Sequence, residues 1–197
     1  MATKYAPYLF LACVVSSGAS LFGYLWFTQD KEDPLPGPSG QELPKGRYVK
    51  LVQTVAQDTE LTGLDDINKI IQFAELEVFA PGSADNLALG KTGSASTEKS
   101  GFPLSALVDG DSLTFASTHG REVDEFDYLQ IDLGSVQEIE KIKIKNRDGP
   151  ARALRRAIGV KAVILGEDGQ TVITETPAID IEAITYTFTF PGTTWVL

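Results

Sequence analysis

Beyond Gly46 apolar and polar residues alternate one by one in short run after short run, and this period of two restricts the fold more than any other feature. Side chains that alternate in this way point to opposite faces of an extended strand, so each run has one face to bury. Residues 47–52 (RYVKLV) and 74–79 (AELEVF) read as strands. Leu129, Ile131 and Leu133 share one face of the next, with Tyr128, Gln130 and Asp132 opposite and Gly134-Ser135 expected as the turn. Ile142 and Ile144 then alternate with Lys141, Lys143 and Lys145. Val160, Ala162 and Ile164 mark another strand, closed by a turn at Glu167-Asp168-Gly169, and residues 172–174 and 185–190 complete the set. β-branched and aromatic residues fill these runs and Gly, Asp and Pro separate them, which predicts an all-β sandwich. Residues 64–71 are the one stretch expected to make a helical turn.

The N-terminus follows a different rule. From Tyr5 to Gln29 there is no charged residue, and the run bounded by Tyr5 and Phe27 is almost continuously apolar. As a helix rising about 1.5 Å per residue it would extend roughly 35 Å, enough to cross a bilayer with some tilt. Tyr5 and Tyr8 at one end, with Tyr24 and Trp26 at the other, suit the two interfaces. Lys4 before the run, and Asp30-Lys31-Glu32-Asp33 after it, put the short N-terminus on the cytoplasmic side of a single-pass membrane protein. Cleavage after Gly18-Ala19-Ser20 is the competing reading, and the apolar run continues past that point. Lipidation at Cys13 is another, and the residues after Cys13 stay apolar. Pro34, Pro36, Pro38 and Pro44, with Gly37 and Gly40, make the next segment a semi-extended tether. The organisation expected is an anchor over residues 1–29, a linker over 30–45 and a domain over 46–197.

Charge narrows what the domain can bind. The formal net charge is -10 and the pI is near 4.6, which disfavours a general nucleic-acid binder, because phosphate contacts need a basic footprint. Eight of the seventeen basic residues do fall between Lys141 and Lys161. Without interleaved exposed aromatics they read as a solvated sheet face that discourages edge pairing, not as a single-strand groove. Cys13 is the only cysteine, so no intrachain disulfide forms, and His119 is the only histidine, so no Cys/His zinc spacing exists. No nucleophile elbow or catalytic dyad stands out, and Asp124-Glu125 reads as loop charge, so an enzyme is not expected.

Several stretches, in order, resemble a known module. NLALGK at 86–91, SAS at 94–96 and ALVDGD at 106–111 look like the opening of a discoidin (coagulation factor 5/8 type C) domain. YLQIDLG at 128–134, the strand ending in Asn146-Arg147, GVKAVIL at 159–165 and the closing 186–192 continue the pattern. Residues 46–54 and 73–79 resemble strands of the fucose-lectin branch of that superfamily. The resemblance covers roughly residues 46–197. It implies a galactose-binding-like jelly-roll β-sandwich that binds sugars, lipid head groups or proteins through loops at one end. On the lectin branch it points to His119, Arg121, Arg147 and Arg155 as ligand-facing residues. The chain departs from that signature: Arg147 is followed directly by Asp148, with Arg152, Arg155 and Arg156 beyond, and the terminal cysteine pair of discoidin domains is absent.

The resemblance also implies a structural calcium at Asp109 and Asp111, which would fix the loop leading to His119. The other reading of Asp109-Gly110-Asp111 is a turn capped by Asp109, with Gly110 at positive φ. No further cofactor is expected. Two functions remain: a membrane-tethered scaffold that docks to neighbouring proteins in a large assembly, or a membrane-displayed lectin or adhesin that binds glycans. An anchor, a short leash and no disulfide suit a minor capsid protein between the inner membrane and the shell of a large DNA virus.

Overall fold

A computed structural model of the chain describes residues 42–54, 70–119, 127–149, 151–191 and 194–196. The chain divides between Ser39 and Gly40, and all of these residues belong to the second unit, Gly40–Leu197. The expected bilayer span from Tyr5 to Phe27, most of the linker, Arg121 and Asp124-Glu125 lie outside the described residues. So does most of the expected helical turn at 64–71, whose last two residues, Ile70 and Ile71, are buried and non-helical. Among the described residues no helix is long and apolar enough to cross a membrane.

The domain is all-β, built from antiparallel sheets with almost no helix. One sheet has five strands in the order β4(Thr92–Ala95), β6(Tyr128–Glu138), β1(Lys45–Gln53), β8(Val160–Leu165), β9(Val172–Glu175). A second has four, in the order β11(Thr194–Val196), β10(Thr185–Thr189), β7(Lys141–Lys145), β3(Glu75–Phe79). β2(Gln72–Phe73) and β5(Ala116–Ser117) form a short pair of their own. The helical pieces are single turns: a 3-10 turn at Leu104–Leu107, an α turn, α1(Ala151–Leu154), and a 3-10 turn at Arg155–Ala157.

Alternation explains the core. Val49 and Leu51 of β1, Leu129, Ile131 and Leu133 of β6, and Ile164 of β8 are almost fully buried. They belong to one cluster with Leu76, Val78, Ile142, Ile144, Tyr186 and Phe188 of the four-stranded sheet, so the two sheets share a single core. The opposite faces are mostly half-exposed, although Glu75 of β3 and Val163 and Leu165 of β8 are buried. Lys141, Lys143 and Lys145 point outward, but β7 is an interior strand between β10 and β3, so its lysines guard no edge. They work across the ladder instead: Lys143 Nζ lies 3.0 Å from Glu77, and Lys141 Nζ sits 4.4 Å from the Phe79 ring centre.

One expected turn is absent. β6 runs straight through Gly134-Ser135 to Glu138, and the reversal comes at Ile139-Glu140. Gly134 has φ +91, and its N–H donates to Asp132 Oδ1 at 2.8 Å. The pairing with β1 jumps there from Tyr48↔Asp132 to Gly46↔Gln137, so the Asp-x-Gly element is a bulge inside a strand.

Candidate binding end of the domain

β1 ends at Gln53, β7 ends at Lys145, and β3, β6, β8 and β10 all begin at the same end of the domain. Buried polar side chains collect there, and burial obliges them to find partners. Gln53, 0% exposed, donates to Ile158 O at 3.1 Å and accepts from Thr54 N at 3.0 Å. The Asp127 carboxylate accepts from Ser96 Oγ at 3.0 Å, and that same oxygen accepts from Tyr128 N. Asn146 Nδ2 donates to Leu154 O and Ala183 O at 3.1 and 3.2 Å. Apart from the Thr54–Gln53 bond between neighbours, these bonds tie separate segments together, which holds this end in a defined shape.

Gln72 lies at the centre. Its Oε1 accepts from Arg147 Nη1 at 3.2 Å and also from Arg156 Nη1, while its Nε2 donates to Ser117 Oγ at 2.9 Å. The register of β2 against β5 sets Gln72 opposite Ser117. Above this hub the Arg147 guanidinium sits 4.4 Å from the Phe115 ring centre. Phe115 stacks on Phe102 with centroids 4.5 Å apart, and Lys99 Nζ lies 5.6 Å beyond, over Phe102. The result is a column of cation, ring, ring, cation.

The ligand-facing set implied by the resemblance is only partly assembled. Arg147 belongs to the column, and the arginine beside it on Gln72 is Arg156. Arg155 is turned to an exposed ion pair, its Nε donating to Glu182 Oε1 at 2.8 Å. His119 is exposed, two residues past Ser117, with its backbone N–H on Thr97 Oγ1 at 2.9 Å. Sequence reasoning missed Gln72, Phe102, Phe115 and Lys99. They lie on segments too short to show a period, and only the fold brings them together.

The 109–114 loop borders this end. Asp109 Oδ1 accepts from Asp111 N at 2.8 Å, and its Oδ2 accepts from Thr114 Oγ1 at 2.8 Å. Gly110 has φ +81, and its N–H donates to Glu75 Oε1 at 2.7 Å. The turn reading of this loop is therefore present in full. Asp111 turns to its own loop and accepts from Leu113 N at 2.9 Å. The carboxyl that faces Asp109 is Glu75, which alternation alone would have placed on a solvated face. Burial, then the neighbouring Asp109, pushes the Glu75 carboxyl up to about 7, against the pull of the Gly110 N–H. Burial also works against ionised Asp109, but the Asp111 N–H, the Thr114 hydroxyl and Glu75 outweigh it and hold its carboxyl below the ordinary range.

A cleft of about 380 Å³ lies at the other end of the domain, lined by Leu43, Pro44, Ile173, Phe190 and Pro191 among others. Glu42 and Lys45, next to Leu43 and Pro44 in the chain, also line it. Among the described residues no group of three or more His, Cys, Asp or Glu side chains is arranged to hold a metal ion. No family model, curated protein or solved structure matches this chain.

Proposed function

We propose that the chain is a non-enzymatic, membrane-tethered binding module of the discoidin, galactose-binding-like type, which docks to neighbouring proteins in a larger assembly. The observation that carries this reading is the Lys99–Phe102–Phe115–Arg147 column with Gln72 beneath it. Aromatic rings and arginines are the groups that dominate protein interfaces, and here their rotamers are held before any partner arrives. The polar atoms at this end bond mainly to one another, which suits a preformed contact surface better than a cup of convergent groups waiting for a sugar. A minor capsid protein joining an inner membrane to an outer shell is one such role. Lysine-reactive cross-linking within the native assembly tests it: links to other proteins should concentrate at Lys99 and be sparse at Lys141 and Lys143. The reverse distribution would remove the column from the interface.

A second reading is a membrane-displayed lectin. The stacked Phe102 and Phe115 beside Arg147, with His119 on the adjoining segment, favour it, because sugar rings pack on aromatic faces while cations take their hydroxyls. A glycan array probed with the full chain in detergent decides. Binding lost in Arg147→Ala supports the lectin, and an array without signal excludes it for the glycans displayed.

A further inference from the structure

β9 is the outer strand of the five-stranded sheet, and among the described residues no strand pairs beyond it. Edge strands are commonly blunted by lysine, proline or an inward charge. β9 reads Val172-Ile173-Thr174-Glu175, with neither lysine nor proline, and Glu175 is engaged by Lys161 Nζ at 2.7 Å. Val172 is 58% exposed and Ile173 44%. β3 and β4, two other outer strands, differ. Along β3 the Val78 N–H donates to Asn86 Oδ1 at 3.0 Å and the Leu87 N–H donates to Val78 O at 2.8 Å, so that edge is already met. β4, Thr92-Gly93-Ser94-Ala95, offers no large apolar side chain.

The pairing of β8 with β9 passes from Ile164↔Thr174 to Leu165↔Val172 and skips Ile173. A bulge of this kind re-aims the side chain that it leaves over. Ile173 joins the lining of the cleft of about 380 Å³, with Leu43, Pro44, Phe190 and Pro191. An open backbone edge beside an apolar pocket is what strand addition uses: main-chain hydrogen bonds give affinity and the pocket selects a side chain.

We propose that β9 and this cleft receive an extended strand of a partner protein, in which apolar residues alternate with lysine or arginine. The apolar residues answer the cleft and the exposed Val172 and Ile173. The basic ones answer the charge around them. Glu42 lines the cleft, and Glu167-Asp168 lie in the turn that leads into β9. The Thr171 hydroxyl, with the Gln170 and Thr171 N–H groups, holds the Asp168 carboxyl down at about 2, so it is charged at neutral pH. Lys45 also lines the cleft, and its Nζ lies 3.9 Å from Glu138. A second copy suits the site poorly, because two chains of net charge -10 would set acidic edge against acidic edge. The contact is separate from the column and goes beyond the docking proposed for it.

Full-length protein in nonionic detergent, titrated into a short fluorescein-labelled peptide of alternating valine and lysine, tests the proposal by fluorescence anisotropy. Binding should saturate and should weaken as salt rises. It should be lost when glutamate replaces lysine in the peptide, or when methyl groups block the backbone nitrogens along one edge of it. Ile173→Lys should weaken binding about tenfold, through lost apolar contact and added like charge. Val172→Lys should act in the same direction, and unchanged melting temperatures would show that both variants fold. In hydrogen exchange the peptide should slow the amides of β9 and leave those of β4 alone. An absence of saturable binding overturns the proposal, as does equal binding by the methylated peptide. So does sedimentation that shows dimers of the chain itself, lost in Ile173→Lys. None of these readouts involves Lys99 or Arg147, so failure here leaves the column's role standing.

Discussion

Gln72 is 2% exposed and offers one carbonyl oxygen to two guanidinium groups. Removing a neutral acceptor that serves charged donors in a buried place costs about 1–3 kcal/mol. Gln72→Ala should lower stability by that much in a urea titration and also loosen Arg147 from Phe115. A second pair of substitutions tests the faces of the strands. Ile131, 0% exposed, should cost about 2–5 kcal/mol when cut to Ala. Lys143, on the wet face with Glu77, should cost about 0.2–1 kcal/mol, the worth of a part-exposed ion pair. Equal losses at both positions would mean the faces are reversed. Acid stability has a local source in Arg47, whose Nε and Nη2 donate to the two Asp132 oxygens at 2.8 and 2.9 Å. The guanidinium, helped by the Gly134 N–H, holds the Asp132 carboxyl below its ordinary value. The folded chain therefore takes up this proton at lower pH than the unfolded chain. The contribution is present above the unfolded value, about 3.9, and is lost as pH falls through the folded one. Asp132→Asn should flatten the melting curve against pH below about 4, and an unchanged acid limb would assign that loss to other carboxylates.

β6 shows what strand patterns hide. Its first six residues alternate cleanly, and the reading of Leu129, Ile131 and Leu133 as inward residues matches the structure. Asp-x-Gly followed by serine signals a turn in isolation, because the Asp side chain and a glycine at positive φ are the parts of one. What the local signal omits is β1, whose Lys45 and Gly46 pair with Glu138 and Gln137 and carry the strand on past the kink. Tertiary pairing turned a turn motif into a bulge. Gly134→Ala should cost about 1–2 kcal/mol, the usual penalty for a side chain in the left-handed region. Gly166→Ala, with only ordinary contacts around the added methyl and no positive φ, is the control and should be near neutral. Similar effects at the two glycines would count against the bulge. The same limit governs the binding end: Arg147 was named through the lectin-branch resemblance, and it lies two residues past the end of β7. Phe102, Phe115 and Gln72 were not named, because each sits on a bridge, a loop or a two-residue strand that has no period to read. The longer strands followed from alternation, and β2, β4, β5 and β11 did not. The column needed the fold.

At the scale of the molecule, the two ends of the domain are built differently. Leu43 and Pro44 line the cleft just before β1, whereas the column stands where β1 finishes, nine residues further on. At about 3.3 Å per residue that strand separates the two by roughly 30 Å. The tether itself rests on sequence: no charge from Tyr5 to Gln29, followed by an acidic stop and a proline-rich spacer. If the 5–27 run is a retained span, the full chain should remain in the membrane pellet after carbonate extraction, where a peripheral protein would be stripped. Deleting residues 1–29 should give a protein that stays in the supernatant. That product has no cysteine, since Cys13 is gone, and it keeps the shared core of both sheets. It should unfold and refold reversibly in reducing buffer, and its column should react to Gln72→Ala as the full chain does. A mature protein whose first residue lies just after Ser20 would end the anchor reading, because the apolar run would then have been a leader. A truncated domain that precipitates unless residues 1–29 are present would show instead that this segment completes the fold.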